Sequence, residues 1–221
     1  SNLAVFNLKA YAKEYDSQVV LREYTINQLK DDILKDIYRC HPDVVCVSCY
    51  IWNITFVREL MQDLRKILPD VPFWAGGPEV SYDAETFLGK NPAFNGVMVG
   101  EGEETFHELA GYYIERKPEN LKEIRGVAFR DETKVQDIVH TGWRELMDLS
   151  KVPFAYSNLT EFKNRIIYYE SSRGCPFSCS YCLSSIDKKL RFRDIELVKR
   201  ELQFFIDNKV PQVKFVDRTF N

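Results

Sequence analysis

The chain has 221 residues, of which 45% are hydrophobic and 29% are charged, as in an ordinary globular protein with one large or two small domains. A formal net charge of −3 provides no basic surface that would attract nucleic acid or an anionic membrane. No apolar run is long enough to span a bilayer, and the N-terminus lacks a signal-peptide pattern. We therefore expect a cytoplasmic protein without nucleic-acid or membrane partners.

The first half of the sequence alternates between helical and strand patterns. Helical periodicity covers residues 2–15, 28–39, 53–68, 82–88 and 105–116, and strand-like apolar runs cover residues 18–24, 43–51, 71–75 and 96–99. Nearly continuous apolar strands separated by helices are typical of a parallel sheet that is covered on both faces. We predict an α/β fold class, with a Rossmann- or flavodoxin-like doubly wound sheet over residues 1–125.

The pattern changes after residue 125. We predict a hairpin and interdomain linker over residues 126–160 and a second domain over residues 161–221. The second domain has a predicted strand, helix and strand at residues 165–170, 194–208 and 212–216. One helix between two strands cannot close a sheet, so we expect this domain to be an incomplete part of a larger α/β structure.

Three cysteines lie in a loop directly after the strand predicted at residues 165–170. Cys175, Cys179 and Cys182 provide thiolates, which bind zinc, copper(I) or iron–sulfur clusters. Structural zinc needs four protein ligands, and residues 141–221 contain no histidine and no further cysteine. Three thiolates on a four-iron cluster leave one iron open, which favours catalysis over simple electron relay. A zinc site completed from elsewhere in the chain, or cysteines without a metal, remain the alternatives.

Residues 173–182, Arg-Gly-Cys-Pro-Phe-Ser-Cys-Ser-Tyr-Cys, resemble the signature of the radical S-adenosylmethionine (SAM) superfamily. The resemblance implies that the three cysteines bind a 4Fe-4S cluster whose open iron chelates SAM, and that SAM is cleaved reductively to a 5′-deoxyadenosyl radical. It also implies that Tyr181 lies near the adenine and that Asp217 reaches the methionine amino group. Loop packing of Tyr181 and a turn-capping role of Asp217 are the alternative interpretations. An electron donor such as flavodoxin or ferredoxin is then expected.

Three strand ends of the first domain have residues that suit a ligand site, because doubly wound sheets bind ligands beyond the carboxyl ends of their strands. These residues are Ser48, Gly76, Gly77, Gly100, Glu101 and Gly102. Together with the cysteine loop, this order resembles radical SAM enzymes with an N-terminal cobalamin (B12)-binding domain, over essentially the whole chain. The resemblance implies a cobalamin site, a missing strand before the first residue and a missing remainder of a partial (β/α) barrel after the last.

The sequence departs from one cobalamin pattern. It lacks the Asp-x-His-x-x-Gly motif that provides a lower axial ligand, and His41, His107 and His140 fit ordinary surface or partly buried positions. We therefore expect any bound cobalamin to have no histidine from this chain on cobalt. Cys46 and Cys49 are three residues apart on a predicted strand and so face opposite sides. We interpret both as core cysteines, with Cys49 close enough to the strand end to line a pocket.

These features favour a radical SAM enzyme that performs methyl transfer or a radical rearrangement on an unknown substrate. Because the barrel is incomplete, we expect the 221-residue chain by itself to lack SAM cleavage activity. The alternative is a Rossmann-like module that binds a small ligand or a partner and has an inert or zinc-binding cysteine segment.

Overall fold

The computed structural model describes residues 2–131, 137–163, 165–183 and 189–218. The chain divides into two compact units. We call residues 12–146 the sheet unit, and residues 1–11 with 147–221 the cysteine unit. Within the described ranges, no helix is long and apolar enough to cross a membrane.

Seven helices and nine strands are assigned in the described residues. The helices are α1 (Leu3–Tyr11), α2 (Lys30–Arg39), α3 (Ile54–Ile67), α4 (Pro78–Ser81), α5 (Ala84–Lys90), α6 (Glu103–Glu115) and α7 (Ile195–Asp207). The strands are β1 (Val45–Ser48), β2 (Phe73–Gly76), β3 (Gly96–Met98), β4 (Val127–Arg130), β5 (Ile138–His140), β6 (Ile167–Tyr169), β7 (Ser172–Arg173), β8 (Arg191–Phe192) and β9 (Val213–Phe215).

The sheet unit contains one five-stranded sheet in the order β1-β2-β3-β4-β5. The first three strands are parallel, and β4 and β5 continue the sheet in antiparallel orientation. This confirms the predicted α/β fold class with a Rossmann-like sheet. The predicted hairpin is part of the same sheet, because Val127 and Ala128 are fully buried and continue its core. Residues 132–136, which include most of the turn predicted around residues 131–133, lie outside the described residues.

Both faces of the sheet are covered by helices. Successive residues of a strand face opposite sides, and β2 follows this rule closely. Phe73 and Ala75 belong to one buried cluster with Leu64 of α3. Trp74, which lies between them, belongs to a second buried cluster with Leu109 of α6. The nearly continuous apolar composition of the strand therefore corresponds to burial on both faces.

The strand predicted at residues 18–24 is wrong. In the structure this segment is neither helical nor paired in a sheet, and Val20 is 60% exposed. β-branched residues favour a strand mainly through packing against neighbouring strands, and this segment has none among the described residues. The helix predicted over residues 2–15 also ends early, at Tyr11, and a short 3-10 turn follows at Lys13–Tyr15.

The cysteine unit is built around a strand–helix–strand unit. Strands β6 and β9 pair in parallel on either side of α7 in the sequence, as predicted. Phe205 of α7 packs with Tyr156 and Tyr169, and α1 contributes Leu3 and Phe6 to the same cluster. The compact units therefore differ in two places from the domain boundaries predicted at residues 1–125, 126–160 and 161–221. Helix α1 belongs to the cysteine unit, and the β4–β5 hairpin belongs to the sheet unit.

Candidate functional sites

The loops after β1, β2 and β3 meet at one edge of the sheet, because these strands are parallel. The Cys49 N–H donates to the Gly76 carbonyl oxygen at 2.7 Å, and the Glu79 N–H donates to the Cys49 carbonyl oxygen at 3.4 Å. The Gly100 N–H donates to Ser81 Oγ at 3.2 Å, which connects the loop after β3 to α4. We call this the carboxyl edge; it brings together the loops that the sequence predicts to bind a ligand.

Gly77 is essential to the geometry of the carboxyl edge. Its φ is +106°, and a Cβ atom there would lie 2.6 Å from the Cys49 carbonyl oxygen. That distance is shorter than any ordinary contact, and the φ angle is one that glycine adopts at little cost. Gly76 is also closely packed, since a Cβ there would lie 3.3 Å from Met98 Cε. The two loops therefore approach each other backbone to backbone.

The third loop precedes α6 and lies against an aromatic ring. Gly102 is the N-cap residue of α6, and its carbonyl oxygen accepts a hydrogen bond from the Phe106 N–H at 2.7 Å. A Cβ atom on Gly100 would lie 3.2 Å from the Trp143 ring. Trp143 also contacts Tyr82, with ring centroids 5.4 Å apart. Trp143 comes from the segment after β5, so the antiparallel hairpin supplies a side chain to this edge.

The carboxyl edge has an aromatic rim that the sequence analysis missed. The rings of Tyr50 and Trp52, just after β1, stack at 4.5 Å with an interplanar angle of 8°. We call Tyr50, Trp52, Tyr82 and Trp143 the aromatic rim. Trp52 is 66% exposed, so its ring is accessible at this edge. The run Tyr-Ile-Trp between a predicted apolar strand and a predicted helix was the sequence signal that could have revealed part of it.

The loop after β1 is fixed by an asparagine. Asn53 Oδ1 accepts the Tyr50 N–H at 2.7 Å, and Asn53 Nδ2 donates to the Ser48 carbonyl oxygen at 3.0 Å. One side chain thus satisfies two backbone groups of an irregular turn, which holds the exposed aromatic pair in place. Ser48 is the last residue of β1 and lies at the carboxyl edge as predicted from its position.

The three histidines lie in different environments. His41 lies between α2 and β1, on the amino-terminal side of β1, and His107 on α6 is paired with Glu14. His140 ends β5, which runs in the same direction as β3, so it reaches the same edge of the sheet two strands away. Its Nδ1 accepts the Gly142 N–H at 2.9 Å. None of the three follows β1, β2 or β3 directly.

The two cysteines near β1 have different surroundings. Cys49 is fully buried, and burial raises the pKa of its thiol to about 12. Cys46 is exposed, so the core position predicted for it is wrong. In the described part of the chain β1 is an edge strand, and one side of it is therefore open to solvent. None of the six cysteines forms a disulfide.

The cysteine loop begins and ends in a short hairpin. Strands β7 and β8 pair in antiparallel orientation and join the two ends of residues 174–190. Gly174 starts the loop with a φ of +96°, and a Cβ atom there would lie 2.1 Å from the Lys189 carbonyl oxygen. The backbone strands on either side of the loop are therefore in direct contact at a position where only glycine fits.

The structure places the three predicted cluster ligands in this loop without assembling them. Cys175 and Cys182 are half-buried, and Cys179 is exposed. The Cys182 N–H donates to the Cys179 carbonyl oxygen at 3.1 Å, so these two lie in a tight turn. Across the described ranges, no three His, Cys, Asp or Glu side chains are grouped closely enough to hold a metal ion. Tyr181 is 91% exposed and thus available to a ligand.

Asp217 lies at the carboxyl end of β9, next to the start of the cysteine loop. Its Oδ1 accepts the Ser171 N–H at 2.8 Å, and its Oδ2 accepts the Ser171 hydroxyl. The Val216 N–H donates to the Tyr169 carbonyl oxygen at 2.9 Å and extends the β6–β9 ladder. The bonds between Asp217 and Ser171 connect the end of β9 to the residue before β7, 46 positions away in the chain, and are not local turn caps. Residues 219–221 lie outside the described residues.

Comparisons with known proteins agree with this architecture. Residues 1–110 match the family described as B12 binding domain. The cobalamin-dependent radical SAM methyltransferase TokK of Streptomyces tokunonensis is 28% identical over 96% of this chain and 33% of its own length. An anaerobic magnesium-protoporphyrin IX monomethyl ester cyclase of Synechocystis sp. is 31% identical over 54% of this chain and 24% of its own length. The chain thus spans about a third or less of these two relatives.

A solved structure shows the same fold. The radical SAM methyltransferase TsrM from Kitasatospora setae superposes with a TM-score of 0.72 at 17% identity, over 99% of this chain and 45% of that chain. The fold is thus a Rossmann-like sheet unit of the B12-binding type, together with a unit that contains a three-cysteine loop. The chain belongs to the B12-binding-domain family through residues 1–110, as its sequence predicts, and is similar over most of its length to a protein named as a cobalamin-dependent radical SAM methyltransferase.

Proposed function

We propose that this protein is part of a cobalamin-dependent radical SAM enzyme that transfers a methyl group to a carbon atom of its substrate. The observation that carries the proposal is the three-thiol loop, closed at its ends by β7 and β8, in a chain whose sheet unit has a ligand-type carboxyl edge. Relatives named as cobalamin-dependent radical SAM methyltransferases support methyl transfer. Relatives named as cyclases make ring formation the second candidate reaction.

The carboxyl edge fits a cobalamin. Gly76 and Gly77 let the loops after β1 and β2 pack backbone to backbone, which fixes the shape of this edge, while Ser48 and Glu101 add hydrogen-bonding groups. Gly100 and Gly102 continue this surface to α6, and the aromatic rim offers apolar area to the corrin ring. Bound cobalamin would supply a methyl carrier. The residues of the chain would bind and orient it without a histidine on cobalt.

The cysteine loop fits a 4Fe-4S cluster through the chemistry of its donors. Three thiols, with no further cysteine and no histidine in the sequence of residues 141–221, would leave one iron for the amino and carboxylate groups of SAM. The cluster would supply the electron for SAM cleavage, received from a donor such as flavodoxin or ferredoxin. Tyr181 is exposed enough to stack on the adenine. An ionised carboxylate accepts about four hydrogen bonds, so the two from Ser171 leave Asp217 capacity for the methionine amino group.

Anaerobic reconstitution with iron and sulfide tests the proposal. The wild-type chain should become brown and show the electron paramagnetic resonance signal of a reduced 4Fe-4S cluster. Single replacement of Cys175, Cys179 or Cys182 by Ala should remove most of the bound iron, because no further cysteine lies in the loop. Cys40→Ala is the control and should leave the iron content at the wild-type level. Equal iron loss from Cys40→Ala, or stoichiometric zinc in place of iron, would refute the cluster assignment.

A further inference from the structure

The β-ladder that closes the cysteine loop is too short to hold it by itself. Strands β7 and β8 contribute 2 residues each. A two-stranded hairpin is at best marginally stable in water. Other contacts must therefore keep the two ends of the loop together.

Arg193 extends this closure by one backbone hydrogen bond. It directly follows β8, and its N–H donates to the Ser171 carbonyl oxygen at 2.9 Å. Ser171 directly precedes β7, and its own N–H is held by Asp217 at 2.8 Å. The two residues that flank the hairpin are thus bonded to each other, and one of them is anchored at the end of β9.

The side chain of Arg193 is anchored separately in the core of the cysteine unit. Its Nη2 lies 2.7 Å from Glu201 Oε1, and the two side chains are only 8% and 5% exposed. The Tyr169 hydroxyl donates to Glu201 Oε2 at 2.6 Å, so both carboxylate oxygens have partners. Burial raises the pKa of Glu201 above its ordinary value. The hydrogen bond from Tyr169 and the positive charge of Arg193 act in the opposite direction and lower that pKa. We call Tyr169, Arg193 and Glu201 the clamp.

A buried ion pair such as Arg193–Glu201 is not an efficient way to increase the free energy of unfolding. Replacing a buried ion pair with apolar side chains of similar volume is often neutral or stabilising. The same helix has apolar contacts of its own, through Val198 and Phe205. We therefore attribute a role to the Arg193–Glu201 pair because of its position. With Tyr169, it connects β6 and α7 to Arg193, the residue that follows β8 at the end of the cysteine loop.

We propose that Glu201 is a positioning residue for the cysteine loop, holding Arg193 so that the loop ends stay closed and the three cysteines can reach one metal cluster. This rests on the proposed function of that loop as the cluster site. Tyr169 fixes the carboxylate from the β6 side, and Arg193 transmits the constraint to the backbone at Ser171.

Hydrogen exchange of the metal-free 221-residue chain tests the clamp. Glu201→Gln keeps the shape but removes the charge, and Tyr169→Phe removes one hydroxyl. Loss of a charged, buried hydrogen bond should speed exchange at the amides of β7, β8 and Arg193 by about tenfold or more in Glu201→Gln, and by less in Tyr169→Phe. Glu196→Gln is the matched control, because Glu196 lies on the same helix and is 65% exposed in its pair with Lys199.

The outcomes separate the clamp from the cluster assignment. Faster exchange confined to the hairpin, with wild-type exchange in the strands of the sheet unit and faster alkylation of Cys175, supports the clamp. Exchange in Glu201→Gln equal to that in Glu196→Gln overturns it, and so does uniform loss of protection throughout α7 and β6. If Glu201→Gln does not fold, Tyr169→Phe decides by the same criteria. If the wild-type chain does not take up iron, the cluster assignment is wrong. The hydrogen-exchange comparison then still tests, independently, whether the clamp holds the ends of the cysteine loop together.

Discussion

Replacing Gly174 with Ala should open the hairpin at the base of the cysteine loop. An alanine at a φ of +96° stores about 1–3 kcal/mol of backbone strain. Its Cβ would also lie 2.1 Å from the Lys189 carbonyl oxygen, a backbone atom that moves only if the loop end moves. Overpacking of this kind costs about 1–3 kcal/mol more. The sum is about 2–6 kcal/mol, and even its lower bound corresponds to about a 30-fold shift toward the open hairpin.

Hydrogen exchange at the amides of β7 and β8 measures this shift, and iron uptake after anaerobic reconstitution measures its consequence. Gly89→Ala is the control, because Gly89 lies in helix α5 and a Cβ there meets no heavy atom within 4 Å. That change should be neutral or stabilising by up to about 1 kcal/mol. Wild-type exchange and wild-type iron content in Gly174→Ala would refute the argument that contact between the loop ends controls cluster assembly.

Three further predictions concern the sheet unit. Gly77→Ala should abolish retention of hydroxocobalamin in equilibrium dialysis, since its Cβ would lie 2.6 Å from a carbonyl oxygen; undiminished retention would place the cofactor elsewhere. Burial raises the pKa of Cys49 to about 12, so at pH 8 iodoacetamide should label exposed Cys179 and leave Cys49 unlabelled until the protein unfolds, as read by mass spectrometry. Equal labelling of the two would contradict the burial of Cys49. Cob(II)alamin bound to the chain should show no nitrogen superhyperfine splitting from protein, and a splitting that disappears in His140→Ala would show a histidine on cobalt.

The elements with strong periodic patterns could be predicted from sequence, since burial and periodicity agree in them. Strand β2 has apolar residues on both faces and is buried on both, and α7 presents Val198 and Phe205 to one cluster. Residues 18–24 have equally good strand composition but no strand beside them in the described structure. Amino-acid composition indicates whether a segment would be stable as a strand inside a sheet. Whether the segment pairs with another strand depends on residues far away in the sequence.

In the candidate sites too, features that depend on neighbouring residues in the sequence could be predicted, and features that depend on long-range strand pairing could not. Spacing and residue type were sufficient to predict Cys175, Cys179 and Cys182 as ligands, because the three thiols lie within eight residues of one another in the sequence. The contribution of Trp143 to the carboxyl edge was not predictable, since it depends on an antiparallel hairpin joining a parallel sheet. The bonding of Asp217 to Ser171 likewise depends on the pairing of β6 with β9, which brings together residues far apart in the chain.

The joined ends of residues 174–190 have a thermodynamic consequence for metal uptake. In an open chain, gathering several ligands around one metal includes an entropy of loop closure that rises with the logarithm of loop length. Here β7 and β8 are paired without a metal, so on the proposed cluster assignment the segment would act as a partly preorganised chelator. By linkage, a bound cluster stabilises the hairpin by the same free energy with which the hairpin favours the cluster. Iron supply should therefore control the folded fraction of this hairpin.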